Sequence, residues 1–282
     1  MAPVLATAPE SLFFYWINER HLIYLKKSAG KSKPWSADPI FQQYKFTNPY
    51  RENDTGTIWL RENFLEPHKN DDLGLIAFNI CWYRMFNWIG TGEFLGWQTD
   101  WNGDIVKYDL TNWAQEGNKV FTGAHMVRSP FGEPKIDSIV DVCTNLWNAR
   151  RDIAERCTVQ LLEETWKYLL TFPYVGSFMG YEMVTDMRHT RLLDGATDIM
   201  TWANPGPGAQ RGLQRLSLPW RPDKAAVDSM ERLMAKANFY GLEDHCPRVE
   251  MRDIEHSLCE FDKYCRVKFG EGAPRSRYPG GA

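Results

Sequence analysis

Residues 44–54 combine charged, amide and aromatic side chains more densely than a plain surface loop usually does. The members that could hold a polar ligand are Lys45, Asn48 and Arg51. A second pair, Glu19 and Arg20, lies in a stretch whose apolar residues recur at helical spacing. Arginine and lysine bind anions, and carboxylates transfer protons. The same residues also suit a structural hydrogen-bond network or a buried ion pair, and both interpretations stay open.

Residues 169–186 predict a helix, a tight turn and a second helix. Pro173 ends the first helix, because proline lacks an N–H group and restricts the residue before it. Gly176 gives the backbone freedom to turn and leaves amides exposed at the start of the second helix. Such amides can bind a DNA phosphate, although an ordinary turn between core helices explains the pattern equally well. The residues assigned to this contact are Tyr174, Gly176 and Ser177.

This hairpin resembles the helix-hairpin-helix of the DNA glycosylase superfamily, in which a Pro-x-Val-Gly turn holds a phosphate. In that superfamily an aspartate follows after one further helix and faces a base flipped out of the duplex. The resemblance implies that Asp198 is this aspartate, with Asp194 as the alternative. A Pro-Gly-Pro-Gly loop at residues 205–208 favours the DNA interpretation, and we expect this region to contact the DNA backbone. The residues concerned are Gly206, Gly208 and Arg211.

Length and composition indicate one globular domain. The 282 residues contain no visible linker or internal repeat, so we expect a single domain over residues 1–282. Hydrophobic residues make up 43% of the chain and its mean hydropathy is −0.47, which is typical of a soluble protein. Without a predicted membrane span or signal peptide, we expect a cytoplasmic location and no membrane partner. The formal net charge of −3 means that any DNA contact must be a local basic surface.

The sequence lacks the common motifs for metals and nucleotides. The six cysteines are scattered, no Cys-x-x-Cys occurs and no histidine pair has zinc spacing, so we expect reduced thiols, no metal and no cofactor. Residues 26–33 form a basic loop that ends like a P-loop, but Leu25 stands where that motif requires glycine. The loop therefore predicts no nucleotide kinase. The default interpretation is that its lysines are solvated, and the more specific hypothesis is that they contact a phosphate.

The periodicity of apolar residues predicts a mostly α-helical protein. The predicted helices cover residues 11–27, 54–63, 73–88, 113–118, 135–170, 223–237 and 253–267. Ser36 is the predicted N-cap of a further short helix, with Pro39 in its first turn. Residues 97–113 predict an aromatic loop. The tail at residues 269–282, rich in Gly, Pro and Arg, predicts an extended or partly mobile arm.

Six pieces of the sequence occur together in an order that is more specific than any one of them. They are residues 13–20, 34–39, 44–54, 172–176, 202–213 and 254–264. This set resembles the α-glutamyl/putrescinyl-thymine pyrophosphorylases, or amino acid:DNA transferases, a group that includes the helical domain of 5-hydroxymethyluracil DNA kinases. The resemblance covers most of the chain and implies a DNA glycosylase-like helical fold with a helix-hairpin-helix, found largely in bacteriophages and acting in the host cytoplasm. Since the kinases carry a P-loop domain that this sequence lacks, the stand-alone transferase is the better match.

The resemblance implies a step in thymidine hypermodification. A kinase first places phosphate or pyrophosphate on the hydroxymethyl group of 5-hydroxymethyluracil in double-stranded DNA. The transferase then joins an amino acid or polyamine to that methylene carbon as the phosphate leaves. The target base must leave the stack, the leaving group needs cationic or amide donors, and the amine needs a carboxylate base.

These needs define the expected roles of the candidate residues. Asp198 is expected to act as base or cation stabiliser, with Asp186 or Glu19 as alternatives. The candidates for binding phosphate or an amino-acid carboxylate are Arg20, Lys45 and Arg51. Asn48 is the candidate for the base edge or the amine. The residues expected to complete the pocket are Lys263 and Glu260. For each of them a structural salt bridge or hydrogen bond stays an open alternative.

Two other functions stay open on the sequence. A DNA glycosylase that removes a modified pyrimidine would use the same fold and Asp198, but it would leave an abasic site. A non-catalytic module that binds modified DNA and presents it to a kinase would change no base. The sequence leaves open the transferred amine, the choice of phosphate or pyrophosphate, the DNA context and the oligomeric state. A Mg²⁺ ion bound to a phosphorylated substrate is compatible with it.

Overall fold

The computed structural model describes residues 9–123 and 133–278, and this part of the chain is mostly helical. Its α-helices are α1 (Pro9–Ser28), α2 (Pro39–Gln43), α3 (Thr55–Leu60), α4 (Leu73–Phe86), α5 (Ile89–Leu95), α6 (Gly103–Gln115), α7 (Lys135–Asn148), α8 (Arg150–Cys157), α9 (Leu162–Leu169), α10 (Ser177–Met187), α11 (Pro207–Arg215), α12 (Asp223–Lys236) and α13 (Met251–Lys268). Short helical turns of other types occur at Arg51–Asn53, Arg61–Leu65 and Ala237–Gly241. Extended pairing in the described ranges is limited to one antiparallel bridge between Tyr44 and Arg277. The mostly α fold class is therefore confirmed, and the likeness to DNA glycosylases stays a prediction.

The helices group into two compact units. The first unit comprises residues 1–54 and 199–282, and it contains α1, α2, α11, α12 and α13. The second unit comprises residues 55–198 and contains α3 to α10. The organisation of residues 1–282 as one domain stays a prediction.

Helix α13 is the centre of the first unit, because α1, α2, α11 and α12 all pack against it. The buried residues whose helical spacing predicts this helix are Ile254, Leu258 and Phe261. Phe261 meets Phe13 of α1 edge to face, with the ring centres 5.3 Å apart. The helix begins with a capping box, in which the Asp253 carboxylate accepts the N–H of Glu250 at 2.9 Å.

Helices α11 and α13 approach each other closely through two glycines of α11. A Cβ atom on Gly208 would overlap the side chain of Cys259, and one on Gly212 would overlap the backbone carbonyl of Leu258. Neither position has room for a side chain, because protein interiors are packed as densely as organic crystals. Both glycines therefore serve the packing of α11 on α13.

Helix α4 forms the core of the second unit, with α7, α8 and α10 packed against it. It is apolar on almost every side, as expected of a helix enclosed by others. Asp72 caps its start by accepting the N–H groups of Gly74 and Leu75 at 2.9 and 3.3 Å. Asn87 ends it in the left-handed conformation with φ 47°. Among the described residues, no helix is both long enough and apolar enough to span a membrane.

Three predicted elements differ from the structure. Residues 97–113 are not a loop throughout, because α6 occupies Gly103–Gln115 and Asn102 caps it. The separate helix predicted at residues 113–118 is absent, since α6 ends at Gln115 and a turn follows. The buried apolar stripe of α6 contains only Val106 and Leu110, so its helical period is weak among the many aromatic residues. Residues 135–170 are not one helix but three, since the chain breaks after α7 and again where Gln160 takes φ 53°.

The N-cap of α2 is also corrected. The Asp38 carboxylate accepts the N–H of Ile40 at 2.8 Å, which is the bond that caps this helix. The Ser36 hydroxyl instead accepts the N–H of Asp38 at 3.0 Å. Asp38 is further fixed by the hydroxyl of Tyr264 on α13, which donates to it at 2.7 Å. Serine and aspartate are both good caps, so local sequence alone did not separate the two positions.

Candidate functional site

Arg20 is a buried cation with several polar neighbours in the first unit. It lies on α1, is only 6% exposed, and its Nε donates to the carbonyl oxygen of Phe46 at 2.9 Å. Its Nη1 is buried and has no hydrogen-bond partner among the residues that the structure describes. Burial lowers the pKa of Arg20, and the nearby Tyr278, Asp54 and Glu260 oppose this shift. A guanidinium stays charged in proteins, so Arg20 offers an unused donor to an anion.

Glu260 and Lys263 form an ion pair one turn apart on α13. The Glu260 carboxylate contacts the Lys263 ammonium and also accepts the N–H of Thr47 at 3.2 Å. Burial acts to raise the pKa of Glu260, but Lys263, His256 and the Thr47 amide outweigh it and lower that pKa. Burial acts to lower the pKa of Lys263, and Glu260 outweighs it and raises that pKa. Both groups are therefore charged near neutral pH, and they tie α13 to residues 44–54.

Arg51 brings a second guanidinium to the same helix. Its Nη1 lies 3.4 Å from Nδ1 of His256 and 3.7 Å from the Asp54 carboxylate. Its backbone N–H donates to Asp253 at 3.4 Å. Burial raises the pKa of Asp253 to about 6, against the opposing effect of the neighbouring Arg252. The sequence interpretation missed His256, although its spacing of four residues from Glu260 places both on one face of α13.

Asn48 and Glu19 each keep an oxygen acceptor without a partner in the described part of the chain. Asn48 is 9% exposed, its amide nitrogen donates to the carbonyl oxygen of Asn53 at 2.7 Å, and its Oδ1 has no partner. Glu19 is partly buried on α1, and its carboxylate forms no hydrogen bond or ion pair with a described residue. Its helical spacing from Tyr15 and Lys26 places it on the face of α1 that meets residues 35–38. These two oxygens could accept protons or hydrogen bonds from a ligand.

Lys45 is exposed and lies beside the C-terminal tail. Its ammonium is 5.5 Å from the centre of the Tyr278 ring. The tail pairs with the chain here, since the N–H of Lys45 donates to Ser276 and that of Tyr278 donates to Gln43, both at 3.0 Å. Residues 276–278 therefore pair with residues 43–45. The extended or partly mobile arm over residues 269–282 stays a prediction, and residues 279–282 lie outside the described residues.

The predicted acids Asp186 and Asp198 belong to the second unit. Asp186 is 2% exposed and forms a two-point ion pair with Arg84, in which the Nη2–Oδ1 distance is 2.7 Å. Both carboxylate oxygens of Asp198 accept N–H groups at the start of α9, from Leu162 at 2.8 Å and Glu163 at 3.0 Å. The structure thus gives each acid a structural partner, and their catalytic roles stay predictions.

The residues of the predicted hairpin lie between α9 and α10, but Tyr174 rather than Gly176 has the left-handed backbone that makes the turn. Tyr174, at φ 64°, takes the left-handed conformation, whereas Gly176 has an extended backbone with φ −77° and ψ 170°. A Cβ atom on Gly176 would meet nothing within 4 Å, so the space before α10 is open. The ring of Tyr174 is 51% exposed, and Ser177 begins α10 without a side-chain cap. This geometry leaves the start of α10 accessible to a ligand, and a DNA-binding role stays a prediction.

The remaining predicted DNA contacts lie around α11. Gly206 precedes this helix, and a Cβ atom there would lie 3.4 Å from Glu255. Gly208 is required by the packing on α13. Arg211 is half-exposed and its Nε donates to Asp262 at 2.9 Å. A contact of this loop with DNA stays a prediction.

No group of three or more His, Cys, Asp and Glu residues with the geometry of a metal site occurs in the described ranges. The six cysteines are all free thiols. Burial raises the pKa of Cys259 to about 12, so this thiol stays protonated beside Gly208.

Comparison with known proteins gives the family. Residues 8–273 match the family described as "5-hmdU DNA kinase, helical domain". The chain is also 24% identical, over 285 residues, to the 5-hmdU DNA kinase of Bacillus phage SP10, and the match covers 89% of this chain and 44% of that protein. The chain thus spans less than half the length of this curated relative, and no solved structure matches it. The predicted relationship to these helical domains is confirmed: the chain belongs to the family of 5-hmdU DNA kinase helical domains.

Proposed function

We propose that this protein is a DNA-modifying transferase of phage thymidine hypermodification. Its substrate is double-stranded DNA in which 5-hydroxymethyluracil carries phosphate or pyrophosphate, and its product carries an amino acid or polyamine instead. The observation that carries the proposal is the buried guanidinium of Arg20, whose Nη1 lacks a partner within the described residues. An unpaired buried donor is costly for folding alone, and it suits a carboxylate or phosphate ligand. Membership of a family named for action on 5-hmdU DNA supports this choice of substrate.

The transfer exchanges one bond for another at the methylene carbon of the base. The nitrogen of the neutral amine attacks this carbon, the C–O bond breaks, and phosphate or pyrophosphate leaves with the electron pair. The ammonium that forms then gives its proton to a carboxylate. Glu19 is the favoured acceptor, because the carboxylates of Asp186 and Asp198 are already bound to Arg84 and to amides of α9.

The other polar groups of the first unit suit binding and orientation. Asn48 Oδ1 can accept the N–H of a uracil ring or of the incoming amine. Lys263 stays protonated beside Glu260 and so acts as a cation rather than as a nucleophile. Arg20 and Arg51 supply forked donors for a phosphate or for the carboxylate of an amino acid.

Nucleoside mass spectrometry tests the reaction. The protein is incubated with duplex DNA that carries phosphorylated 5-hydroxymethyluracil and with a pool of amino acids and polyamines, and the DNA is then digested. We expect a new nucleoside with the mass of thymidine plus one amine substituent. Abasic sites would identify a glycosylase instead, and unchanged nucleosides on bound DNA would refute the transfer.

Variants of Arg20 test the observation that carries the proposal. Arg20→Lys keeps the positive charge and the packing of the stem but removes the fork, so we expect at least a tenfold slower transfer, corresponding to about 1.4 kcal/mol. Arg232→Lys, on an exposed arginine of α12 in the same unit, is the matched control. Equal rates for the two variants, measured on protein with wild-type melting temperature, would remove Arg20 from the mechanism.

A second candidate function is a DNA-binding module that works with a kinase. Two observations favour it. The family is named for one domain of a kinase, and this chain matches only 44% of the length of the phage kinase. Such a module would bind modified and unmodified duplexes without changing the mass of any base. It would also increase phosphorylation of 5-hydroxymethyluracil when a kinase is added, and the transferase would not.

A further inference from the structure

Three lysine side chains surround the ring of Tyr278 in the first unit. The ammonium nitrogens of Lys27, Lys33 and Lys45 lie 5.7, 4.8 and 5.5 Å from the ring centre, within the range of a cation–π contact. Those of Lys27 and Lys33 also lie 5.3 and 5.4 Å from the Trp35 ring centre. Three segments of the chain therefore bring their cations to one aromatic wall: α1, the loop after it and the residues after α2.

No carboxylate neutralises this cluster in the described part of the chain, since none of the three lysines forms an ion pair there. Lys27 illustrates the resulting repulsion. Its pKa is lowered first by burial and then by the charges of Arg20, Lys45 and Lys33. Arg20 is itself buried, and its Nη1 has no hydrogen-bond partner among the described residues. An anion bound among the three lysines would reduce this repulsion.

The aromatic wall is held in place by the tail. Backbone bonds from Lys45 to Ser276 and from Tyr278 to Gln43, each 3.0 Å long, fix the tail against the residues after α2. Trp35 meets the Tyr278 ring edge to face at 5.7 Å. The wall and its three cations therefore form one built surface rather than a set of separate solvated lysines.

We propose that Lys27, Lys33 and Lys45 bind the phosphate or pyrophosphate group that the substrate base carries. This assignment rests on the proposed transfer, in which that group must be held as it leaves. A terminal phosphate monoester carries about two negative charges at neutral pH, whereas a backbone phosphodiester carries about one. Three unpaired cations on one wall match the more highly charged group. A phosphate of the DNA backbone is the competing source of the same chemistry.

Isothermal titration of the full chain with inorganic pyrophosphate tests the site. We expect pyrophosphate to bind, and to bind equally when the protein is saturated with unmodified duplex DNA. Lys33→Gln or Lys45→Gln should each weaken binding about tenfold, the loss expected for one charge-assisted hydrogen bond. Tyr278→Ala should also weaken it, because the wall that orders the lysines is lost. Lys224→Gln, an exposed lysine of α12 in the same unit, should change it less than about twofold.

Several outcomes would overturn the assignment. The assignment fails if the wild-type chain does not bind pyrophosphate, or if Lys33→Gln and Lys224→Gln bind it equally well. It also fails if unmodified duplex DNA displaces pyrophosphate, because that result would identify a site for a backbone phosphate. The nucleoside mass assay separates this site from the transfer itself. Pyrophosphate binding as expected, without a new nucleoside, would leave the anion site standing and refute the transfer. Formation of the new nucleoside at the wild-type rate by Lys33→Gln would refute the site alone.

Discussion

Replacement of Asp198 can separate a helix cap from a catalytic base. This residue is 8% exposed, and its two oxygens accept the N–H groups of Leu162 and Glu163 at 2.8 and 3.0 Å. These bonds satisfy two of the amides that begin α9, which otherwise have no partner within the helix. The negative charge also suits the positive end of the helix dipole. The structure therefore predicts a loss of stability, whereas the glycosylase resemblance predicts a loss of chemistry.

The size of the effect follows from the two bonds. Replacement of a capping residue by alanine costs about 0.5–2 kcal/mol, and a hydrogen bond to a charged group contributes about 1.5–3 kcal/mol. We expect Asp198→Ala to lower the free energy of unfolding by about 2 kcal/mol, and Asp198→Asn by about 1 kcal/mol because the amide keeps one acceptor. In a unit of roughly 150 residues, about 2 kcal/mol corresponds to a fall of about 4–8 °C in melting temperature.

Urea unfolding and the nucleoside mass assay, run on the same preparations, give both readouts. Asp194→Asn, an exposed carboxylate in the same unit, is the stability control and should change the free energy of unfolding by less than about 0.5 kcal/mol. An Asp198→Asn variant with unchanged stability and no activity would refute the capping argument and identify a base. A destabilised variant with wild-type activity per folded molecule would remove Asp198 from the mechanism.

Packing, ionisation and the hairpin each give a further test. Gly212→Ala should lower the free energy of unfolding, measured by thermal unfolding, by about 2 kcal/mol or more. Gly208→Ala should lower it less, because a cysteine side chain moves more readily than a helix carbonyl. Gly206→Ala is the control, and equal effects of all three substitutions would contradict the packing argument. Burial raises the pKa of Asp253 to about 6, above its unfolded value of about 3.9. The stabilisation from the protonated Asp253 carboxyl is therefore complete below about pH 4 and is lost as the pH rises through about 6. The free energy of unfolding in urea should fall over this pH range in the wild type, and Asp253→Asn should remove that fall. The same pH dependence in the variant and the wild type would contradict the raised pKa of Asp253. Gly176→Ala should keep the wild-type melting temperature but weaken duplex DNA binding in a gel-shift assay, because its methyl group enters the open space before α10; unchanged affinity would count against a phosphate there.

The sequence identified most helices because their buried residues keep a regular spacing. Helix α13 is the clearest example, with Ile254, Leu258 and Phe261 buried on one side. The same helix carries Glu260 and Lys263, so the pattern that predicted the helix also located these two residues of the candidate site. Helix α6 was missed because only two of its residues are buried, and the period of so narrow a stripe is hard to recognise.

The partners of the site residues could not be read from the sequence, because they come from distant parts of the chain. The cap formed by Asp198 joins residues 36 positions apart, and the contact of Glu260 with Thr47 spans 213. The loop lysines were visible as a basic run, but the ring of Tyr278 that gathers them lies in the tail. Pairwise contacts of this kind depend on the packing of whole helices, which local periodicity does not encode.

The left-handed backbone of Tyr174 has a consequence for directed evolution. A non-glycine residue in this conformation costs about 1 kcal/mol, so glycine would make the turn more stable. The chain nevertheless holds there an aromatic ring that is 51% exposed and adds little to the core. A library selected only for survival of heating should therefore accumulate glycine or asparagine at this position. A library that must also act on DNA should keep the ring, if the hairpin serves the duplex.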